Sequence, residues 1–161
     1  MEDSFSKAVA FVLKQAGRYV HDDNPLDAVS RGIQGRTYDA WRRSQGLPER
    51  PVRELEEAEA QAIYRTLWEA CGSGVLLAPL DIVHFDAAAM HGLDQAGGWM
   101  VRALPHAQAD LDPRGLAIRL LEIREEAMHR SAQRPKNADK LRGWLLRLTA
   151  LRLEAALPTA E

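Results

Sequence analysis

"FVLKQAGRYVHDDNP", residues 11–25, holds the boundary around which the chain is organised. Phe5, Val9, Val12 and Ala16 recur at helical spacing and give the first segment one apolar face. Gly17 is a natural stop for that helix. Beyond it, acids and amides run to Pro25, and residues 19–35 lose all periodicity while carrying Asn24, Pro25, Gly32 and Gly35. That pattern describes a long loop.

Outward from this boundary the helical signals continue. "RTYDAWRRSQ" predicts a short helix ended by Gly46, and "LPERPVREL" a turn. "LEEAEAQAIYRTLWEACG" predicts a stronger helix with acids in its first turn, where the helix dipole favours them. Its inward residues are expected to be Ala62, Tyr64, Leu67 and Trp68, flanked by Ile63 and Cys71. A helical stretch from about Pro79 should be interrupted or ended by Gly92 and Gly97-Gly98 before "WMVRAL" resumes. "PHAQADLDPRG" predicts a second loop, with Asp112 as N-cap and Pro113 at the first position of the next helix. A final helix is expected from about Asn137 to Leu157. No strand and no internal repeat are expected, so the fold class is all-α, in one compact domain.

Composition sets the outer limits. The 161 residues suffice for one domain with a real core. Apolar residues at 46% and charged residues at 27% exclude disorder. A net charge of −2 gives no global attraction to nucleic acid or to an anionic membrane. Cys71 stands alone, so no internal disulfide forms. The N-terminus is acidic and amphipathic rather than signal-like, and "GVLLAPLDIV" is too short to span a bilayer. The expectation is a cytoplasmic protein without a membrane span, exported only through a partner.

Several segments, in order, resemble the bacterial and phage N-acetylmuramidases of glycoside hydrolase family 108, often labelled secretion-activating proteins. "AFVLKQAGRYV" is similar to the family's first helix, and "GIQGRTYDAWR" to its Gly-Ile-Thr, Thr-Tyr and Trp stretch. "AQAIYRTLWEA", "LDIVHFDAAAMHG", "WMVRAL" and "LRGWLLRL" follow the family's later segments almost to the end of the chain. The resemblance implies a lysozyme-like helical domain. Residues of about 1–104 would correspond to the catalytic region, and about 105–157 to the C-terminal peptidoglycan-binding-like helices.

The departures from the family pattern are as informative as the matches. The family's Glu-Gly-Gly-Tyr at the end of the first helix is Ala16-Gly17-Arg18-Tyr19 here, so the position of its catalytic acid falls on Ala16. The Asp-Pro-Gly-Gly-x-Thr loop corresponds to Asn24-Pro25-Leu26-Asp27-Ala28-Val29. The family's Asn before Ser-Gly is Met90, and the Gln of its Trp-Leu-Gln segment is Val101. Packing positions (Tyr19, Ile33, Tyr38, Trp41, Tyr64, Trp68, Phe85, Trp99, Trp144) keep the family's residue types. The implied cleft is therefore lined by Ala16, Arg18, Tyr19, Leu26, Val29, Met90, His91, Trp99 and Val101, with Trp99 able to stack on a sugar ring.

Glycosidic cleavage needs a carboxylic acid to protonate the leaving oxygen, a contribution of about 10²–10⁴-fold. An alanine methyl cannot supply it. Asp22, Asp23, Asp27 and Asp86 are the substitutes to consider, with Asp81 beside them, set against a bland reading as solvated or paired acids. The resulting expectation is a non-hydrolytic binding or interaction module for peptidoglycan or a protein partner. The alternative is a hydrolase with a displaced acid.

Other constellations carry less. His84, Asp86 and His91 do not supply the converging donors that a metal needs, so no metal or other cofactor is expected. Cys71 has no local base and is expected to be structural. Arginines of the terminal helices alternate with Glu122, Glu125, Glu126 and Asp139, which favours a salt-bridged face and leaves a weak nucleic-acid binder through these helices as a further alternative.

Overall fold

The computed structural model describes residues 3–104 and 112–157. Among these residues the order is α1 (Ser4–Ala16), β1 (Val29–Ser30), β2 (Ile33–Gln34), α2 (Gly35–Ser44), α3 (Glu57–Ala70), α4 (Leu80–His91), α5 (Leu93–Ala103), α6 (Pro113–Ala132) and α7 (Leu141–Glu154). Short 3₁₀ turns at Val52–Glu54, Ser73–Val75 and Pro135–Asn137 complete it. The class is all-α, with one minimal sheet. None of the helices is long and apolar enough to cross a membrane.

Helix α4 is the axis of the fold. Every residue from Leu80 to Ala88 is buried, polar ones included, and a helix buried all round belongs inside a bundle. Phe85, at 0% exposure, centres an aromatic cluster. Trp68 meets it edge-on with centroids 5.2 Å apart and Tyr64 at 6.1 Å, while Phe5 packs on Trp68 at 5.8 Å. Edge-to-face geometry lets the positive rim of one ring meet the negative face of the next. Helices α1, α3, α5 and α6 all pack on α4.

The helix termini follow local chemistry. Asp3 caps α1 by accepting from the Ser6 N–H at 2.8 Å. Asp112 caps α6 through the N–H groups of Arg114 and Gly115, with Pro113 first in the helix, as expected. Gly17 closes α1 at φ 68°. The stripe of α3 is shifted from its expected phase: Ala60, Ile63, Tyr64 and Trp68 are buried, whereas Ala62 is exposed and Leu67 half-buried.

Three further expectations are corrected. Gly97 and Gly98 lie inside α5, which stays continuous because Ala96, Trp99 and Ala103 bury one face against its neighbours. Helix α7 begins at Leu141, after a 3₁₀ turn. The loop after α1 contains a β-hairpin. Arg31 (φ 52°) and Gly32 (φ 79°) both take the left-handed backbone that a tight two-residue hairpin turn demands, pairing Val29 with Gln34 and Ser30 with Ile33. Most of the second predicted loop, residues 105–111, lies outside the described residues.

Two polar networks lock the elements together. Tyr38 donates to Glu59 at 2.7 Å, Arg42 adds an ion pair at 2.5 Å and Arg50 another, joining α2 to α3. Asp86, at 0% exposure, accepts from Arg124 of α6 at 2.8 Å and from Arg147 of α7 at 2.6 Å. Burial alone would raise the Asp86 carboxyl, yet the two guanidiniums hold it below the usual carboxylate range.

Candidate functional site

A groove with a cavity volume of about 810 Å³ opens where the hairpin and α2 face α3 and the α4–α5 junction. Val29, Gly32, Ile33 and Gln34 come from the hairpin, and Thr37, Trp41 and Ser44 from α2. Helix α3 supplies Ile63, Tyr64, Thr66, Leu67 and Ala70, and the junction supplies Ala88 to Leu93. The floor is apolar, while hydroxyls and the Gln34 amide stand among the walls. Among the described residues no aspartate or glutamate lines it.

Ala16, half-buried, lies against Gly32 of the groove wall. A β-carbon placed on Gly32 would lie 3.0 Å from the Ala16 methyl and 2.6 Å from the Tyr64 hydroxyl. Gly32 is thus required both by its backbone angle and by this close approach. The Tyr64 hydroxyl donates to the Arg31 carbonyl at 2.8 Å, anchoring the hairpin turn on α3.

Two titratable groups belong to the groove. Burial pushes the Tyr64 hydroxyl up to about 12, and the Asp86 carboxylate acts in the same direction against Arg147. Burial, reinforced by the Arg124 guanidinium, takes His91 down to about 4. Near neutral pH both are uncharged. A general acid for glycoside cleavage works with a pKa of roughly 6–7, and neither group is placed there.

The candidate acids lie elsewhere. Asp22 accepts from the Asn24 N–H at 2.9 Å, and Asp23 stands 3.6 Å from His21, both at the exposed loop surface. Asp27 accepts from the Asn24 side chain at 2.8 Å and pairs with Arg36. Each shapes the loop. Asp86 is sealed in the core between two arginines, and Asp81, also buried, accepts from the Ile82 N–H.

Of the expected cleft residues, Val29, Met90 and His91 line the groove. Arg18, Tyr19 and Leu26 are exposed beyond it, and the Tyr19 hydroxyl lies 3.4 Å from His21 Nδ1. Tyr19 is therefore not a packing residue. Val101, 69% exposed, lines neither this groove nor the second cavity, because α5 turns its other face to the bundle. Trp99 is buried with its ring 4.8 Å from that of His91, and it lines a separate cavity among α5, α6 and α7.

The histidines also diverge. His84 Nε2 donates to the Cys71 carbonyl at 3.1 Å, whereas His91 packs on Trp99. Cys71 contacts the Ser73 hydroxyl at 3.1 Å and has no base against it. The signal that sequence reasoning missed is Arg31-Gly32 between Val29 and Ile33, a hairpin turn without the usual Asn or Asp.

Comparison with known proteins gives this arrangement a context. A solved structure, SagA from Brucella abortus, superposes with a TM-score of 0.75, covering 95% of this chain and 94% of that one at 22% identity. At that identity the likeness concerns the fold. No curated protein matches the sequence. The profile of the Glycosyl hydrolase 108 family matches residues 9–92, from within α1 through the end of α4 and the groove wall it builds. The chain belongs to the glycosyl hydrolase 108 family.

Proposed function

We propose that this chain is a non-hydrolytic module that holds a peptidoglycan-type glycan strand in the groove between the hairpin–α2 unit and the α3–α4 wall. One observation carries the reading: among the described residues no carboxylate lines the groove, and Ala16 stands at the helix end where the family resemblance places the acid. Without a proton donor the leaving oxygen cannot depart at a useful rate. The binding surface remains. Trp41 offers a half-exposed aromatic wall for a pyranose face, and Thr37, Ser44, Thr66 and Gln34 offer hydroxyl and amide partners. The cavity is of the size that binds small ligands or short oligomers.

In this reading residues of about 1–104 form the groove and about 105–157 brace it as part of a single domain. The bracing is supported by Asp86, whose charge is met only by arginines of α6 and α7. The substitution at Ala16 and the altered loop around Leu26 then belong to one change of use, from cutting to holding.

The test is to incubate the protein with purified peptidoglycan and follow both muropeptide release and pelleting. Pelleting without release is expected, with pelleting lost in Leu93→Arg, which places a long cation at the groove mouth. Release that disappears in Asp22→Asn, Asp23→Asn or Asp27→Asn would establish a displaced acid instead. Absence of pelleting would remove the glycan as ligand and direct attention to a protein partner.

A further inference from the structure

The second cavity, of about 520 Å³, is enclosed by α5, α6, the turn after α6, and α7. Its apolar lining includes Trp99 and Met128, both buried, and the half-buried Trp144. Around them stand three guanidinium side chains, from Arg102, Arg130 and Arg134, together with Ser131. Among the described residues no acid lines this cavity.

Several surface arginines are matched by acids. Arg36, Arg43 and Arg119 each lie within ion-pair distance of an aspartate or glutamate. At the cavity, one carboxylate, Glu126, is shared between Arg102 and Arg130 at 3.9 Å from each. The Arg134 side chain has no hydrogen bond or ion pair among the described residues. His91 Nε2, in the cavity wall, is buried and without a hydrogen-bond partner among the described residues. Three arginines beside two tryptophan rings suit an oxyanion carried on an aromatic body, because guanidinium groups bind carboxylate and phosphate in bidentate fashion.

We propose that this cavity binds an oxyanion, a carboxylate or a phosphate, carried on a flat apolar body that lies against Trp99 and Trp144. Arg134 and Arg102 grip the anion, and Arg130 completes the rim while keeping Glu126 occupied. The proposal does not depend on the glycan reading of the groove, since its residues are a different set apart from His91.

Phenyl phosphate and benzoate are suitable probes, with benzyl alcohol as the uncharged control, followed by calorimetry and by tryptophan fluorescence of the full chain. Saturable binding of at least one anion is expected, weakened by added salt and about tenfold or more by Arg134→Ala or Arg102→Ala. Both arginines are exposed, so the variants should melt like the wild type, and Leu93→Arg should leave anion binding unchanged. Preference between the two probes tells phosphate from carboxylate. No saturable binding of either up to about 10 mM would overturn the proposal. So would equal binding of benzyl alcohol, or affinity unchanged in the double variant Arg102→Ala/Arg134→Ala.

Discussion

Asp27 and Asp86 are both aspartates paired with arginine, yet they sit in opposite worlds. Asp27 pairs with Arg36 in a loop where the side chains keep 38% and 57% exposure. Asp86 and Arg124 have none, and Arg147 only 11%. The first pair exchanges water for a partner at little gain. The second consists of charges that must stay paired because water cannot reach them. Between these extremes lies the groove, where no acid stands among the described residues that line it.

Breaking the core member should have the largest effect. Asp86→Ala leaves two buried guanidiniums unopposed and is expected to cost about 3–5 kcal/mol, measured by denaturant melts. Arg124 already has Nε and Nη1 unpartnered, so the site has no slack. A cost under about 1 kcal/mol would mean that the core reorganises around the loss.

Acidification tests the same region through His91. Its pKa is about 4 in the fold against an ordinary 6.5, so the unfolded chain takes up a proton first as pH falls. The stability that neutral His91 contributes is complete above about pH 6.5 and fades toward pH 4, an expected loss of about 2–3 kcal/mol. Burial lowers His84 in the same direction. His91→Phe should flatten part of that decline in melts taken across the range.

Glu59 is the intermediate case. Its side chain is 14% exposed, and although burial alone would raise it, Tyr38, Arg50 and Arg42 hold it below its ordinary value. Glu59→Gln should cost about 1–3 kcal/mol, as expected when partners of a charge-assisted hydrogen-bond network are left poorly satisfied. Asp27→Asn closes the series. It is expected to change stability by less than about 1 kcal/mol, with muropeptide release unaffected. A drop in stability as large as that of Asp86→Ala would erase the contrast between the two pairs.

What was legible in the sequence follows from how local each signal is. The Asp112–Pro113 cap and the Gly17 stop were readable because capping is settled within a few residues. The hairpin was not, since two-residue strands leave no alternation to detect. Gly97-Gly98 misled because tertiary packing outweighed the poor helix propensity of glycine. The same packing decided the phase of α3, with Ile63 inside and Ala62 out. At the site, Met90 and Val29 were placed by resemblance, whereas Val101 and Trp99 depended on how α5 rotates against α6. Asp86 was quoted among substitute acids because its arginines lie 38 and 61 residues away, and nothing near it in sequence announces them.

That separation bears on how the molecule comes into being. During synthesis α4 emerges with its carboxylate long before α7, which carries the Arg147 that also lies over the Phe11 ring. Until then, closing the helices around Asp86 would strand a charge without its full escort. A nascent chain halted shortly after α5 is therefore expected to remain protease-sensitive, and one extended past α7 to become resistant. The bundle would close in one late step, with α1 and α7 sealed together.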